Sequence, residues 1–243
     1  MIREISFNGK CLTDFGVLAD FSDVFNTPAY EVSKVSIPGR SGDLIIPENR
    51  FENRRLKMKC FIRDNFVQNY RDLVNYLSSL AGRYERLEIT AEPDVYMNAA
   101  FYSALVPDTG QFLRWGRFDL VFDCMPQKYL KLGEQKIDYG EASVNTLMNL
   151  TQHRSRPLIT VEPTSSNATI TINDQTISVT ANNFRFYIDC ELMHAYRINT
   201  NNEAVSMDSY VSMPDSFVEL VPGQNRIMTV NAAISLTPRW WRL

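Results

Sequence analysis

The stretch from Ser36 to Ile45, SIPGRSGDLI, has the composition of a loop that could hold a phosphate. A phosphate-binding P-loop needs the pattern GxxxxGK[ST] at the start of a helix, because the backbone amides and the helix N-terminus must face the phosphates. Here Gly39 and Gly42 are only three residues apart, no lysine follows, and an apolar run typical of a strand begins at Leu44. The sequence therefore does not predict a phosphate site.

The same stretch is typical of a tight turn. Pro38 restricts its own φ, and either Gly39 or Gly42 can supply a positive φ at no steric cost. This interpretation explains the proline and the glycines. It leaves Arg40 and Asp43, an exposed pair of opposite charge, without a role inside the turn.

Histidines that could act as a catalytic base or hold a metal are few. The chain has two, His153 and His194. His153 lies in a polar connector, TQHRSRP, where a solvent-facing side chain is expected. His194 follows Cys190 by four residues, a spacing that suits two metal ligands on a helix, but the segment has a strand pattern and two ligands do not close a metal site. No HExxH, GxSxG or paired-carboxylate pattern is present, so we expect no catalytic residues, no metal and no cofactor.

The chain ends in PRWWRL, where Trp240 and Trp241 are flanked by arginines. Tryptophan can stack on a sugar ring, so both residues are candidates for glycan stacking. Alternation along a strand would send them to opposite faces. We expect one to pack in the core and the other to lie at an edge or interface.

A basic cluster is the sharpest charge feature of the first half. Its side chains would cover a solvated or intersubunit strand face, whereas a nucleic-acid groove would also need interleaved aromatic residues. The formal net charge of −3 and the pI near 5.5 also argue against a protein that neutralises nucleic-acid phosphates. The cluster consists of Arg50, Arg54, Arg55, Lys57 and Lys59.

The elements that position these residues are mostly strands. Alternation is clear in Arg55–Ile62, Leu87–Ala91 and Phe118–Phe122, each of which predicts a half-buried strand. One segment, DNFVQNYRDLVNYLSSLAG from Asp64 to Gly82, has a helical stripe instead. We predict a single long helix over about 64–81, with Asp64 as N-cap and Gly82 just beyond its end. The first half is therefore α+β.

The second half contains short alternating strands and no helix pattern. ATITIN, TISVTA and FRFYIDC each bury every second residue, which predicts an all-β sandwich. Asparagine takes the place of glycine at the expected turns. These asparagines are Asn167, Asn173, Asn182, Asn183, Asn199, Asn201 and Asn202. We place the boundary near residue 130, giving domains 1–130 and 131–243.

The expected environment follows from the cysteines and the apolar runs. No two of the four cysteines have a CxxC spacing, and Cys60, Cys124 and Cys190 each continue an apolar row. We expect free core thiols, as in a reducing compartment. The N-terminal MIREISFNGK has no secretory h-region, and no run approaches the ~18 apolar residues of a membrane span. We therefore expect synthesis in a cytoplasm.

Several short motifs in order resemble those of the distal tail proteins (Dit) of siphophages, the long, non-contractile-tailed bacteriophages. In the first half they are DFGV at Asp14–Val17 and the SIPGRSGDLI loop, similar to V-P-G-R-x-G, followed by a strand and one helix. In the second half they are RPL at 156–158, TITINDQTI, FYIDCE, LVPGQNRI at Leu220–Ile227, and PRWW. The resemblance covers essentially the whole chain.

The resemblance implies a mainly β protein with a ring-forming, tail-tube-like N-terminal domain and a galectin-like C-terminal β-sandwich. It implies a hexameric ring, or two back-to-back rings, that acts as a baseplate hub at the tail tip of the virion and is assembled in the bacterial cytoplasm. Expected partners are further copies of the chain, the tail tube protein, a tail-tip or tail-associated protein and a receptor-binding protein, without sequence-specific nucleic-acid contacts. Within such a ring, Arg40, Ser41 and Asp43 are candidates for contacts between neighbouring subunits.

An alternative function stays open from the sequence. Fold and function separate easily, so the second domain could be a host-glycan binding module with Trp240 or Trp241 as its stacking platform. An enzyme such as a wall hydrolase would require paired acids or a metal site, which the sequence does not provide. We therefore expect a structural, non-enzymatic protein.

Overall fold

A computed structural model describes residues 4–21, 23–110, 113–180, 184–213 and 217–243 of the chain. The chain divides into two compact units, Met1–Lys128 and Tyr129–Arg242. Both are built mainly from antiparallel strands, and the described residues contain one α-helix. None of their helices is both long and apolar enough to span a membrane. The mainly β architecture expected from the sequence is confirmed.

The first unit is a large twisted sheet with a helix packed on it and a separate hairpin. The sheet order is β2-β1-β7-β8-β10-β6-β3, with β9 also paired to β10, while β4 and β5 pair only with each other. The strands are β1 Ile5–Phe7, β2 Lys10–Cys11, β3 Val17–Ala19, β4 Tyr30–Val35, β5 Leu44–Phe51, β6 Arg54–Ile62, β7 Tyr84–Ile89, β8 Val95–Ala100, β9 Asp108–Gly110 and β10 Trp115–Leu130, and the helix is α1 Phe66–Ser79.

The expected helix is present but begins later than predicted. Asn65, with φ of 51°, occupies the N-cap position, and its side chain makes no capping bond. Asp64 therefore is not the N-cap; its carbonyl oxygen accepts a hydrogen bond from the Asn69 side chain at 3.0 Å. Gly82, with φ of 76°, lies just beyond the helix as predicted. The left-handed backbone conformation of Asn65 changes the chain direction between β6 and the helix within a single residue.

The helix packs on the sheet through its apolar stripe. Phe66, Leu73 and Leu77 are buried, and Leu80 follows them into the same core. Gly116 of β10 is required here, because a Cβ at this position would lie 2.3 Å from the Phe66 ring. Val67, the second residue of the helix, is 37% exposed.

The second unit is a two-sheet sandwich. One sheet has the order β11-β21-β13-β16-β17-β18 and the other β12-β20-β14-β15-β19. Their strands are β11 Ile137–Tyr139, β12 Val144–Asn149, β13 Leu158–Pro163, β14 Ala168–Ile172, β15 Gln175–Val179, β16 Phe186–Asp189, β17 His194–Ile198, β18 Ala204–Ser206, β19 Val211–Ser212, β20 Gly223–Val230 and β21 Ala232–Thr237. A further short strand, β22 Trp241–Arg242, belongs to neither sheet. The alternation of ATITIN and TISVTA is confirmed, since their apolar residues lie in the core between the sheets.

The predicted turn asparagines behave in two ways. Asn173 and Asn202 have positive φ values of 54° and 62°, as expected of turn residues. Asn199 instead uses its side-chain oxygen, which accepts hydrogen bonds from the backbone N–H groups of Asn201 and Glu203, both at 2.9 Å. Asn182 and Asn183 lie outside the described residues.

The four cysteines are free thiols, as predicted. Burial raises the pKa of Cys60, Cys124 and Cys190 to about 12, whereas Cys11 is only partly buried. The three buried thiols sit among apolar side chains and act as small hydrophobic residues.

Candidate assembly interface

The hairpin β4–β5 is the most exposed structured element of the first unit. Every residue of both strands is exposed or half-buried. Cross-strand contacts stiffen it: the Tyr30 and Phe51 rings meet edge to face at 5.0 Å, Arg50 pairs with Glu31, and Ser33 donates to Glu48. The hairpin therefore keeps its shape without a sheet beneath it.

Both faces of this hairpin carry apolar side chains. Residues directly opposite each other share a face, so the pairs Val35–Leu44 and Ser33–Ile46 define one face and Lys34–Ile45 and Val32–Pro47 the other. Val35, Leu44 and Ile46 are 42–45% exposed, and Ile45 is 60% exposed. Large aliphatic side chains on two open faces are unusual for a surface that stays in water.

The tip of the hairpin is the Ser36–Asp43 loop, and the turn predicted there is confirmed. The N–H of Arg40 donates to the Ile37 carbonyl at 3.2 Å, with Pro38 and Gly39 in the central positions. Gly39 and Gly42 both have positive φ, at 78° and 85°. Proline followed by a glycine with positive φ is the sequence that a type II turn requires.

The predicted interface residues lie in this tip. Arg40, Ser41 and Asp43 are all exposed. Among the described residues, no hydrogen bond or ion pair engages any of the three side chains. The two charges therefore face solvent, 3 residues apart in sequence, and are available to another molecule.

Arg54, predicted to belong to the basic surface cluster, lies instead in the core at 5% exposure. Its guanidinium donates to the carbonyl oxygens of Val24 at 3.1 Å and Asn26 at 2.6 Å. Burial lowers the pKa of Arg54. Arg54 lies on the same face of β6 as Leu56 and Met58, so strand alternation places its side chain on the buried side. Its role is to hold the segment that leads into the hairpin.

The rest of the cluster is on the surface as predicted. Arg55, Lys57 and Lys59 are exposed on the outer face of β6. Lys57 forms an ion pair with Asp119 of β10 at 2.7 Å, and Arg50 belongs to the hairpin. The basic face is therefore partly neutralised by its neighbouring strand.

An aromatic feature of the same face was not predicted. The rings of Phe61 and Trp115 lie 5.9 Å apart, and the Arg117 guanidinium is within 6 Å of both. With Arg63, Asp64 and Arg114 these residues line a depression of about 270 Å³. The outward position of the Phe61 side chain could have been predicted, because strand alternation turns it away from the core. Its pairing with Trp115 could not, because that depends on the register of two strands that are distant in sequence.

In the second unit the two tryptophans separate as expected. Trp240 is buried at 7% exposure and belongs to the sandwich core. Trp241 is partly exposed; its ring stacks on His153 with centroids 4.1 Å apart, and its Nε1 donates to the Arg154 carbonyl at 2.8 Å. His153 is therefore half-buried by this contact, and burial lowers its pKa.

His194 has a structural partner and not a metal environment. Its Nδ1 lies 2.7 Å from Oδ2 of Asp208, and Oδ1 of Asp208 accepts the Ala195 N–H at 2.6 Å. Within the described ranges, no group of three or more metal-ligating side chains occurs.

The LVPGQNRI stretch is a turn built around one amide. Asn225 is fully buried, and its Nδ2 donates to the carbonyls of Val221 at 2.8 Å and Gly223 at 3.2 Å. Its Oδ1 accepts from the Val221 N–H at 2.8 Å and from the Asn173 side chain at 2.9 Å. The asparagine therefore ties the start of β20 to the β14–β15 hairpin.

No protein-family model and no curated protein matches this sequence. Solved structures do match it. The crystal structure of the Dit (gp 19.1) protein of phage SPP1, a paradigm of the hub adsorption apparatus in phages that infect Gram-positive hosts, superposes with a TM-score of 0.69 at 16% identity over 100% of both chains. The chain has the fold of a phage Dit hub protein.

The Dit fold is also shared with a component of the phage P2 baseplate in its activated conformation. The Ca and Sr forms of that baseplate each match with a TM-score of 0.57 at 10% identity, over 97% of this chain and 98% of theirs. The match to Dit spans both units and not one of them.

Proposed function

We propose that this protein is a structural, non-enzymatic hub of a siphophage tail tip, in which six copies form a ring. The Dit fold over the whole chain supports the class of protein. The observation that supports ring formation is the β4–β5 hairpin, which exposes apolar residues on both faces and unpaired charges at its tip.

A ring needs two different complementary patches on each subunit, because its interfaces are head-to-tail. The hairpin supplies one such patch. Insertion against a neighbouring copy would cover Val35, Leu44, Ile45 and Ile46, whose burial is favourable by roughly 25 cal/mol per Å² of apolar surface. Arg40, Ser41 and Asp43 would then contact that neighbour and fix its register.

The ring would join the tail tube protein on one side to the tail-tip or tail-associated protein on the other, and receptor-binding proteins would attach to this assembly. Two rings back to back are the alternative arrangement. The protein would thus be part of the virion after assembly in the host cytoplasm. The hub role of SPP1 Dit and the baseplate origin of the P2 chains support this placement.

The test is the solution mass of the full chain by light scattering at several concentrations. We expect a mass near six or twelve times the 28.0 kDa chain. Ile45→Asp should shift the mass toward the single chain, whereas Val144→Asp, at 61% exposure against 60% for Ile45, should leave it unchanged. A wild-type mass of one chain at every concentration, or equal effects of the two variants, would contradict the proposal.

The second candidate, a glycan-binding module that uses Trp240 or Trp241, has less support. Trp240 is in the core, and one face of Trp241 is covered by His153. A sugar could stack only on the remaining face of Trp241. Glycan binding that is lost in Trp241→Ala would favour this candidate.

A further inference from the structure

Phe25 has the most exposed phenylalanine or tyrosine side chain of the described residues, at 66%. It lies in a β-turn that the N–H of Asn26 closes on the Asp23 carbonyl at 3.2 Å. The preceding residue, Val24, is fully buried, so the turn is anchored in the core next to the exposed ring. A phenyl ring held out from an anchored turn leaves a large apolar surface in water, which is typical of a contact site.

A buried charge holds this turn in place. The Arg54 guanidinium donates to the carbonyls of Val24 and Asn26, the residues on either side of Phe25. Burial of a charged group is costly unless the group is hydrogen-bonded, and here the bonds go to the two peptide groups that orient Phe25. The ring is therefore presented in a fixed position, and that lowers the entropy lost when it binds.

The depression of about 270 Å³ around Phe61 and Trp115 offers a surface on which such a ring can pack. Trp115 rests on Gly110 of β9, where a Cβ would lie 2.3 Å from the indole, so the position of the indole is fixed. The Arg117 guanidinium is 5.8 Å from the Phe61 centroid and 5.6 Å from that of Trp115. Both rings are half-buried, so each keeps an open surface for an edge-to-face or offset contact with a further ring.

The charges of the depression leave one cation unpaired. Three arginines and one aspartate line it. Asp64 lies 3.7 Å from Arg114, and Asp108 is the register partner of Arg117 on the neighbouring strand. Arg63 has neither an ion pair nor a hydrogen bond from its side chain within the described part of the chain. The depression therefore favours a partner that brings a carboxylate together with an aromatic ring.

The Phe25 turn carries a carboxylate next to its ring. Asp23 forms no ion pair and no side-chain hydrogen bond with any described residue. Lys57 interacts with it electrostatically but forms its own ion pair with another carboxylate. Asp23 and Phe25 are two residues apart, as are Arg63 and Phe61. The turn and the depression thus match in charge, in aromatic character and in spacing.

A single chain cannot bring these two surfaces together. Arg54, which holds the turn, is the first residue of β6, and Phe61 is the eighth of its nine residues. At about 3.4 Å per residue they lie roughly 24 Å apart along the strand, farther than their side chains reach. Contact between the turn and the depression therefore requires a second molecule. Because the two surfaces differ, that contact is head-to-tail.

We propose that the Phe25 turn of one copy docks into the Phe61–Trp115 depression of the next copy. This inference rests on the proposed ring and adds a second contact between neighbours to that of the hairpin. Phe25 packs on the two aromatic rings, and Asp23 pairs with Arg63. The charged pair makes the contact directional, so it helps to orient neighbouring copies.

The experiment is a double-mutant cycle on the full chain, read out by sedimentation over a dilution series. Phe25→Ala and Phe61→Ala should each raise the concentration at which the ring is half dissociated by about tenfold or more, as truncation of an aromatic anchor does. The double variant should weaken the ring little more than the stronger single variant, because side chains in contact do not act independently. Tyr102→Ala, at 60% exposure, is the matched control and should leave the ring unchanged.

A charge reversal tests the polar part of the contact without altering the rings. Asp23→Lys and Arg63→Glu should each weaken the ring, and the double variant should recover most of the loss because the pair is restored with opposite polarity. Arg71→Glu, an exposed position on α1, is the control and should have no effect. The side chains of Asp23 and Arg63 make no hydrogen bond or ion pair with the described residues of their own chain, so these variants should keep the melting temperature of the subunit.

Two results would overturn this contact. One is additive effects of Phe25→Ala and Phe61→Ala, and the other is the absence of recovery in the double charge reversal. A ring that dissociates at the same concentration in Phe25→Ala as in wild type would also overturn it, while the ring and its hairpin contact would stand. A wild-type mass of one chain at every concentration contradicts the ring itself, so the wild-type mass distinguishes the two failures.

Discussion

Arg239 holds Asp189 through two parallel hydrogen bonds, from Nη1 to Oδ1 at 2.7 Å and from Nη2 to Oδ2 at 2.8 Å. The carboxylate also accepts the backbone N–H groups of Glu191 at 3.0 Å and Leu192 at 3.1 Å. Its side chain is 4% exposed, and that of Arg239 is 22% exposed. This pair joins the β16–β17 turn to the segment between β21 and β22, so it closes the sandwich at the C-terminal end.

The change Asp189→Asn should destabilise the second unit strongly. The amide cannot accept both guanidinium bonds, and it leaves the partly buried Arg239 with Glu191, at 3.4 Å, in place of a paired buried carboxylate. We expect a loss of about 2–4 kcal/mol in the free energy of unfolding, measured by urea denaturation. Asp174→Asn, an exposed site in the β14–β15 turn, is the control and should change stability by less than about 0.5 kcal/mol. Equal effects at the two sites would refute the role of the pair.

The contribution of Asp189 should depend on pH in one direction. Burial raises the pKa of Asp189, but the hydrogen bonds and charge of Arg239 and the N–H bonds of Leu192 and Glu191 outweigh it, so the pKa lies below the ordinary value of 3.8. A depressed pKa in the folded state means that the stabilisation is complete above the unfolded-state pKa and is lost as pH falls through the folded-state pKa. The stability difference between wild type and Asp189→Asn should be constant from pH 5 to 8 and shrink below about pH 4. A difference that grows on acidification would contradict this assignment.

Asn225→Ala should remove the amide on which the LVPGQNRI turn depends. The change leaves the N–H and C=O of Val221 and the Nδ2 of Asn173 without these partners in a partly buried site. Each unpaired buried group costs about 1–3 kcal/mol, and partial relaxation limits the total to about 2–4 kcal/mol, measurable by thermal or urea unfolding. Gln224→Ala, on the neighbouring exposed position, should be within about 0.5 kcal/mol of wild type. Similar losses for both would show that the amide is not the cause.

Patterns within a short stretch of sequence predicted the strands, the helix and the turn whose conformation depends on neighbouring residues. Strand alternation placed Leu56, Met58 and Ile177 in the core, and the helical stripe identified α1. The turn chemistry of Pro38 and Gly39 was also readable, because those residues determine their own φ. The first residue of the helix was not, because Asp64 and Asn65 are both acceptable caps and only the approach from β6 distinguishes them.

Features that depend on long-range register could not be predicted. The order β11-β21-β13-β16-β17-β18 requires six strands to be aligned, and nothing within one strand specifies its neighbours' alignment. The cluster of Phe61 and Trp115 has the same origin. The burial of Arg54 could have been predicted from alternation alone, but a charged residue beside other basic residues favoured a surface interpretation. Its carbonyl partners, Val24 and Asn26, come from a segment without a regular pattern.

The four thiols should differ in reactivity. At pH 8 a thiol with a pKa of about 12 is ionised to about one part in ten thousand, so Cys60, Cys124 and Cys190 should resist alkylation in the native protein. Cys11 is partly exposed and should react, more slowly than a free cysteine because burial and nearby carboxylates raise its pKa. Mass spectrometry after iodoacetamide treatment should show one adduct in the native protein and four in denaturant. Native Cys11→Ser should show none, and rapid labelling at the other three would contradict their burial.

Reversal of charge at the hairpin tip tests whether the tip sets the register of the proposed ring. Arg40 is exposed and has no partner among the described side chains of its own chain, so Arg40→Glu should not affect folding of the subunit. If Arg40 faces an acidic group on the neighbouring copy, the change replaces attraction by repulsion. The dissociation constant of the proposed ring should then rise about tenfold or more. Analytical ultracentrifugation over a dilution series measures this, and added salt should reduce the difference between the proteins.

The matched control for that reversal is Arg71→Glu, an exposed position on α1 with the same change of charge. It should leave the dissociation constant of the ring unchanged while altering the net charge equally. If both variants weaken the ring alike, net charge and not the tip contact is responsible. If neither does, the apolar faces around Ile45 hold the ring without help from the tip, and the register must be set elsewhere on the subunit.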